Sequence, residues 1–198
     1  DYSKRPIADS ESYARKLAAT QALMRPDMRV LEFGCGTGST ALEHAPHVAH
    51  IEATDVSAAM IEIGRRKAAE AGIDNVSFRQ SGVEEFEADG SYDMVLALNL
   101  VHLLPDRAAA LEKIQSLLKP GGYFISSTVC LADRMWFMRP VIPVLQWMGK
   151  APYVSFLGAD EVLREVSGAG FRVQDHWTHG RANSLFLVAV KGGTSHSD

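Results

Sequence analysis

Residues 30–39, Val30-Leu-Glu-Phe-Gly-Cys-Gly-Thr-Gly-Ser39, combine a short apolar run, an acidic residue and three alternating glycines. This order predicts a buried strand, a sharp turn and the start of a helix. Glycine accepts a positive φ and lets a ligand approach the bare backbone closely. A second acidic residue, Asp55, ends the next apolar run, residues 48–54. Two acidic strand ends beside a glycine turn predict a cleft for a nucleoside-bearing cofactor.

The composition fits one globular domain. The chain has 198 residues, of which 46% are hydrophobic and 22% are charged. This supplies enough apolar material for a core and argues against wholesale disorder. The formal net charge is −4 and the sequence contains no long basic run. Both observations argue against a nucleic-acid partner.

The thiols and imidazoles do not form a metal-binding pattern. Cys35 and Cys130 belong to no CxxC pair, which predicts two reduced, buried thiols. His44, His47 and His50 recur at nearly regular spacing, but Pro46 lies between them and spoils a common ligand face. No apolar run reaches the roughly 18 residues that span a bilayer, and the first residues lack a signal-peptide core. These features predict a cytoplasmic protein without a metal site.

Helix and strand patterns alternate along nearly the whole chain. Strands are predicted at residues 29–33, 48–54, 76–80, 92–98, 123–129, 171–177 and 184–190. Helices are predicted at residues 10–25, 37–44, 57–71, 105–118 and 160–169. Residues 119–122, Lys-Pro-Gly-Gly, predict a turn. Too few residues separate the last two strands for a parallel crossover, so we expect an antiparallel hairpin.

One segment breaks this alternation. Residues 131–157 are rich in Met, Trp and Phe and are interrupted by Pro140 and Pro143. They follow the fifth strand, at the sheet edge where open α/β sheets bind ligands. We interpret them as a short helical lid. Its apolar residues either form the buried face of the lid, line a pocket for an apolar ligand, or allow a peripheral membrane contact.

Four motifs in order resemble the class I S-adenosylmethionine-dependent methyltransferases. They are residues 31–38 (Leu-Glu-Phe-Gly-Cys-Gly-Thr-Gly), 53–57 (Ala-Thr-Asp-Val-Ser) with Met60, 92–96 (Tyr-Asp-Met-Val-Leu) and 117–122 (Leu-Leu-Lys-Pro-Gly-Gly). The resemblance implies an α/β, Rossmann-like, doubly wound sheet of seven strands, mostly parallel with an antiparallel last strand. It also implies a single methyltransferase domain over residues 1–198, with residues 1–27 as an N-terminal helical cover.

The same resemblance implies roles around the cofactor S-adenosylmethionine. The three glycines of the turn, Gly34, Gly36 and Gly38, would lie against its methionine portion. Glu32 would orient this turn and meet the amino group, directly or through water. Asp55 would accept hydrogen bonds from both ribose hydroxyls, which suits a carboxylate because two donors converge on it.

The adenine contacts are implied less completely. The residues that would face the base or its edge are Val56, Met60, Ser81, Gly82 and Val83. Many members of the family carry an acid at the position of Gly82. Its absence leaves the adenine amino group to backbone near Val83, to Ser81, or to a neighbouring acid such as Glu84.

Two residues follow the fourth strand, where the family lines the sulfonium and the acceptor. They are Asn99, a predicted cofactor contact, and His102, a predicted general base. A base is needed only if the acceptor carries a proton, as a hydroxyl does. The alternative for His102 is a structural histidine bonded to the backbone. On the first helix, Lys16 either meets the cofactor carboxylate or lies on an exposed face, beside Tyr13.

The predicted function is transfer of a methyl group from S-adenosylmethionine to a small, apolar or amphipathic acceptor, with S-adenosylhomocysteine as product. One alternative is an NAD-dependent oxidoreductase, but the chain lacks the later glycine of G-x-G-x-x-G. Another is a non-catalytic protein on the same fold that binds a membrane or a partner through residues 131–157. A nucleic-acid methyltransferase is disfavoured, because residues 99–102 read Asn-Leu-Val-His rather than Asn-Pro-Pro-Tyr. The acceptor and the oligomeric state stay open.

Overall fold

The described residues form a seven-stranded sheet with helices on both faces. The computed structural model describes residues 10–88, 90–130, 157–179 and 184–192. The strands are β1 Arg29–Phe33, β2 His50–Asp55, β3 Val76–Gln80, β4 Tyr92–Leu98, β5 Leu118–Val129, β6 Phe171–His179 and β7 Ser184–Lys191. Their order across the sheet is β3-β2-β1-β4-β5-β7-β6.

The helices begin and end at recognisable signals. They are α1 Ser10–Gln21, α2 Ser39–His44, α3 Ala58–Ala71, α4 Arg107–Leu117 and α5 Ala159–Gly168, with 3-10 turns at Ala45–His47 and Val101–Leu103. The Ser57 hydroxyl accepts from the Met60 N–H at the start of α3, and the Asp106 carboxylate accepts from the Ala109 N–H at the start of α4. Both are N-caps that pair an otherwise orphaned backbone donor. Gly72 ends α3 in the left-handed region, at φ 65°.

The strand directions confirm the predicted fold. The pairs β1–β2, β1–β4, β2–β3 and β4–β5 are parallel. The last strand, β7, is antiparallel to both β5 and β6. The predicted terminal hairpin is therefore present, and β7 lies between its partner and the rest of the sheet.

Two apolar layers hold the helices on the sheet. Helices α1, α2 and α3 pack on one face, together with Val30, Ile51 and Met94 of the strands. Helices α4 and α5 pack on the other, and there the Phe33 and Phe86 rings meet edge to face at 5.2 Å. Burying one such ring stabilises the fold by about 1.5–3 kcal/mol.

Several predicted boundaries were wrong. Strand β5 begins at Leu118 rather than at residue 123, because Leu118 already pairs with Tyr92, so the turn expected at residues 119–122 lies within the bounds of this strand. The ladder then shifts before Tyr123 pairs with Met94, and Gly121 takes φ 74° within this irregular stretch. Helix α1 ends at Gln21 rather than residue 25. Similarly, α2 begins at Ser39, β2 spans residues 50–55, and β6 extends to His179.

Three other predictions concern the lid, the thiols and membrane spans. Of the predicted lid, only Leu157 is among the described residues, where it is buried beside α5. Cys35 and Cys130 are both buried, and neither forms a disulfide, which confirms the prediction for the thiols. Among the described residues, no helix combines the length and apolar character that crossing a bilayer requires.

Candidate active site

The acidic and polar residues singled out in the sequence converge at one edge of the sheet. Because β1 lies between β2 and β4, their parallel carboxyl ends bring Glu32, Asp55 and Asn99 to neighbouring positions. The chain leaves β1 toward β2 on one side and later returns to β4 on the other. This is the topological switch point at which open α/β sheets form a ligand crevice.

The Asp55 carboxylate holds the glycine turn against the end of β2. One oxygen, Oδ2, accepts a hydrogen bond from the Gly36 N–H at 2.8 Å. The other, Oδ1, accepts from the Ser57 N–H at 2.9 Å, just before α3. A carboxylate offers about four lone-pair sites. Two acceptor sites are therefore left on Asp55 for a diol that reaches the turn.

Two glycines of the turn serve different purposes. Gly36 has φ 53°, and a Cβ built on it would meet no atom within 4 Å, so its backbone borders open space. Gly38 has φ 72°, and a Cβ there would lie only 2.5 Å from the Phe78 ring, which also covers Gly64. The bare surface at Gly36 suits close approach of a ligand, whereas Gly38 is required by packing.

A lysine supports the turn from α3. The Lys67 ammonium donates to the Thr37 and Ser39 hydroxyls, each at 2.9 Å. These bonds tie the turn and the first residue of α2 to a second helix. This contact could not be predicted from the sequence, since nothing in the local pattern links residues thirty positions apart.

Glu32 is a buried acid with an unsatisfied oxygen. Its side chain is 2% exposed, and Oε2 has no hydrogen-bond partner within the described part of the chain. Burial raises the pKa of this carboxyl to about 8. An ammonium group placed beside it would supply both the missing donor and a compensating charge. Together with the open backbone at Gly36 and the free sites on Asp55, this fits S-adenosylmethionine, which carries an amino group, a methionine chain and a ribose.

Beyond Asp55, an open cleft of about 390 Å³ continues toward β3. Its apolar wall is Val56, whose side chain is 72% exposed. Ser81 and Gly82 line it as well, whereas the Val83 side chain is buried in the core and leaves only its backbone for a ligand. Met60 is half-buried on α3 and does not line this cleft.

The carboxylate of Glu85 occupies the space where a side chain at position 82 would lie. A Cβ built on Gly82 would lie 2.5 Å from Oε2 of Glu85. Glu85 lines the cleft, and Glu84 does not. Glu84 stays a prediction for the adenine contact, and Glu85 is a further candidate, because the burial of Val83 and Phe86 sets the direction of the neighbouring side chains.

The residues after β4 are held in an unusual conformation. Asn99 has φ 59°, and its N–H donates to the Ser127 carbonyl at 2.7 Å. Asparagine enters the left-handed region more readily than most residues, and such positions concentrate at functional sites. His102 follows on the 3-10 turn, 8% exposed, with Nδ1 unpartnered among the described residues. Burial lowers its pKa, so the imidazole is neutral and able to accept a proton.

The remaining titratable groups near the turn are separate from one another. Burial, reinforced by the charges of Glu32 and Asp55, raises the pKa of the Cys35 thiol, which makes it a poor nucleophile. His44 is fully buried, His47 is exposed, and His50 Nε2 bonds the Ser77 hydroxyl at 2.9 Å. No group of three His, Cys, Asp or Glu side chains within the described ranges is arranged to hold a metal ion.

Helix α1 packs against α2 near this edge of the sheet. The Tyr13 hydroxyl lies 3.5 Å from the Thr40 hydroxyl on α2. Tyr13 and Lys16 line a small cavity between the two helices, which also reaches Asn99 and His44. The first helix therefore adjoins the residues at the end of β4.

Comparison with known proteins gives the same assignment. A family model described as "Methyltransferase domain" matches residues 24–151. A curated relative, the ubiquinone biosynthesis O-methyltransferase of Acinetobacter baumannii (strain ACICU), is 29% identical over 153 residues, which cover 74% of this chain and 65% of the relative. The matched part of the chain thus spans slightly less than two thirds of the length of that relative.

Solved structures share the fold at low sequence identity. The YcgJ protein of Bacillus subtilis has a TM-score of 0.76 at 18% identity, over 90% of this chain and 99% of that one. The N-methyltransferase NodS of Bradyrhizobium japonicum WM9, solved in complex with S-adenosyl-L-homocysteine, has a TM-score of 0.74 at 16% identity, over 95% of this chain and 89% of that one.

Proposed function

Because this chain belongs to the methyltransferase-domain family, we propose that it is an enzyme that transfers a methyl group from S-adenosylmethionine to a small organic acceptor. The proposal is carried by one observation, the cradle formed by Glu32, Gly36 and Asp55. It offers an unpaired buried carboxyl, open backbone and free carboxylate sites in the order in which this cofactor presents amino group, methionine chain and ribose.

The residues of the cradle would orient the cofactor rather than react with it. When bound, S-adenosylmethionine would supply an electrophilic methyl group: the acceptor would attack it in line with the S–CH3 bond, and S-adenosylhomocysteine would leave as a neutral thioether. The Asp55 carboxylate would fix the ribose, and Glu32 would fix the amino end. Fixing the ribose and the amino group would hold the methyl group in one position relative to the acceptor. Proximity and orientation of this kind are the main source of rate acceleration in a displacement with a good leaving group.

The residues after β4 would act on the acceptor side. Asn99 is exposed and lies beside the cradle, where it would border the sulfonium. His102 lies three residues farther on and is neutral, so it would accept the proton of a hydroxyl acceptor as the methyl group is transferred. We expect its loss to lower turnover while leaving cofactor affinity intact.

The adenine would lie in the cleft between Val56 and residues 81–85. Val56 would pack against the face of the base. Glu85, placed where a side chain on Gly82 would otherwise extend, would accept from the adenine amino group. The assignment of Met60 to the adenine wall is supported only indirectly, through its position on the first turn of α3.

The acceptor is proposed by class only. The name of the curated relative includes an O-methyltransferase activity in ubiquinone biosynthesis, which favours an oxygen nucleophile on an apolar or amphipathic molecule. Two buried cysteines that form no disulfide support a reducing, cytoplasmic setting. The roles of residues 1–27 as a cover and of residues 131–157 as a lid stay predictions. Family membership leaves the oxidoreductase alternative without support.

Cofactor binding and methyl transfer can be tested in that order. Calorimetry should detect binding of S-adenosylhomocysteine and no binding of NAD. Only S-adenosylhomocysteine should raise the melting temperature, because a ligand that binds the native state stabilises it. A metabolite screen with isotopically labelled methyl donor would then identify the acceptor. Stabilisation by NAD and none by S-adenosylhomocysteine would overturn the proposal.

A further inference from the structure

A cavity of about 40 Å³ lies between α1 and α2, at the end of β4. Its floor is formed by His44 and Thr20, whose side chains are 0% and 1% exposed. Its mouth lies at Asn99, which is exposed and adjoins the cofactor cradle. We call it the His44 cavity. It is a blind pocket that opens beside the predicted reacting centre.

The histidine at the floor is unsatisfied. Neither Nδ1 nor Nε2 of His44 has a hydrogen-bond partner among the described residues. Buried polar groups in native proteins are almost always paired, and an unpaired one costs about 1–3 kcal/mol. A ligand group or a water molecule must therefore form a hydrogen bond with the imidazole, and the cavity is the space available for that group.

The residues that line the cavity indicate which kind of ligand group would bind His44. Burial, together with the neighbouring charge of His47, lowers the pKa of His44 to about 4, so the ring is neutral and offers one donor and one acceptor. Tyr13, Thr20 and Thr40 also line the cavity, and their hydroxyl groups can donate or accept. Lys16, the one cation among the described lining residues, already makes an interaction of its own. A neutral hydroxyl, which donates and accepts at once, matches this lining better than a carboxylate.

The size of the cavity limits how much of a ligand enters it. One water-sized group needs roughly 10–15 Å³ of such volume, so a hydroxyl and its nearest atoms fit, whereas an aromatic ring does not. The body of the ligand would stay at the mouth, against Leu98 and Asn99. It would then lie next to the cofactor cradle.

We propose that the His44 cavity is a subsite for a neutral hydroxyl group of the methyl acceptor, with His44 as the residue that binds this hydroxyl. The inference rests on the proposed function, since it places the acceptor beside the cofactor. It assigns His44 a binding role that differs from the proton transfer proposed for His102.

The test uses the whole chain saturated with S-adenosylhomocysteine. Phenol is titrated against toluene, which has the same shape but a methyl group in place of the hydroxyl. The imidazole nitrogens of His44 are followed by nuclear magnetic resonance, with the exposed His47 as an internal reference. Phenol should shift the His44 signals in a saturable way and toluene should not. Absence of a phenol shift would overturn the proposal and leave His44 as a residue that holds only water.

Variants provide the second arm. His44→Gln keeps a donor and an acceptor, so phenol binding should fall by no more than about threefold, whereas His44→Leu should lose about tenfold, the equivalent of one hydrogen bond. Affinity for S-adenosylhomocysteine should stay within about twofold in both. Loss of that affinity in His44→Leu with phenol binding unchanged would overturn the proposal and assign the cavity to the cofactor.

The two proposals fail in different ways. If the wild-type protein binds no S-adenosylhomocysteine, the proposed function fails, whatever phenol does. If it binds S-adenosylhomocysteine and discriminates in no way between phenol and toluene, only the subsite fails. Should either variant fold poorly, the wild-type titration alone still decides.

Discussion

The Asp55 carboxylate accepts a hydrogen bond from the Gly36 N–H at 2.8 Å, which joins the end of β2 to the glycine turn after β1. One side chain thereby both shapes the turn and faces the space in front of it. Asp55→Ala should weaken binding of S-adenosylhomocysteine by about a hundredfold or more, since each hydrogen bond to a charged group contributes about 1.5–3 kcal/mol. Calorimetry measures this, with His102→Ala as a control that stays within about twofold.

Loosening of the turn can be separated from loss of the ribose contact. Asp55→Ala should weaken binding of an analogue that lacks both ribose hydroxyls less than it weakens binding of S-adenosylhomocysteine, and the loss that remains measures the loosening of the turn. The two changes should therefore not add, as expected when they remove the same interaction. Unchanged affinity for S-adenosylhomocysteine in Asp55→Ala would contradict the ribose role.

The two glycines of the turn predict opposite phenotypes. Gly36→Ala should cost about 1 kcal/mol of stability through its left-handed backbone but should strongly reduce cofactor affinity, because the new methyl group occupies open space in front of the turn. Gly38→Ala should lower stability by about 2–4 kcal/mol, since it adds overlap with Phe78 to the same backbone strain. Urea denaturation and calorimetry measure both.

A compensating change provides the check on Gly38. Phe78→Leu in the Gly38→Ala background should recover part of the lost stability, because it removes ring atoms from the overlap. Equal stability of the two single glycine variants would show that packing against Phe78 does not determine the choice of glycine there.

Glu32 predicts that cofactor binding depends on pH. With a pKa raised to about 8, the carboxyl is protonated at neutral pH, whereas the ammonium of the cofactor favours the ionised form. Binding should therefore release a proton, and affinity should rise between about pH 6 and about pH 8, by at most about tenfold per unit. Titrations in buffers of different ionisation enthalpy count the proton. Glu32→Gln should flatten the profile.

The same shift has a consequence for the unliganded protein. Between the ordinary pKa of 4.5 and about 8, the folded state holds a proton that the unfolded state has lost. Stability should therefore fall as pH rises through this window, by at most about 1.4 kcal/mol per unit. An unfolding free energy that rises there in wild type relative to Glu32→Gln would be inconsistent with a neutral buried Glu32.

Glu85 predicts selectivity for the base. Wild-type protein should bind S-adenosylhomocysteine more tightly than S-inosylhomocysteine, which carries an oxygen in place of the amino group. Glu85→Gln should narrow this preference by about tenfold, because the amide can donate to that oxygen. Glu84→Gln is the matched control, since Glu84 does not line the cleft. An equal effect of both substitutions would exclude a specific contact at Glu85.

The features predicted correctly from the sequence are those that depend on neighbouring residues in the chain. Strands β1, β3 and β4 have the predicted bounds, because β1 and β4 are mostly apolar runs and β3 begins with an alternation of apolar and polar residues. Asp55 and the glycines could be predicted because the turn and the strand ends carry their own chemistry. Residues 119–122 were predicted as a turn before the fifth strand, whereas they lie within the bounds of β5, where the Pro-Gly-Gly signal coincides with the register shift between Leu118 and Tyr123.

Residues placed by distant contacts could not be predicted. His44 belongs to a regular series of histidines in the sequence, yet only packing of α1 on α2 makes it the floor of a cavity. The position of Glu85 over Gly82 likewise follows from which neighbours are buried. The predicted roles of the cofactor residues stay predictions that the variants above test.

The place of β7 between β5 and β6 also affects synthesis of the chain. Residues 184–190 are all buried, and β6 joins the sheet only through them. Until the ribosome has released these residues, the apolar edge of β5 has no neighbour, although the cofactor cradle upstream is already complete. Nascent chains halted before residue 184 should therefore recruit chaperones and resist protease poorly, and chains released past residue 191 should not.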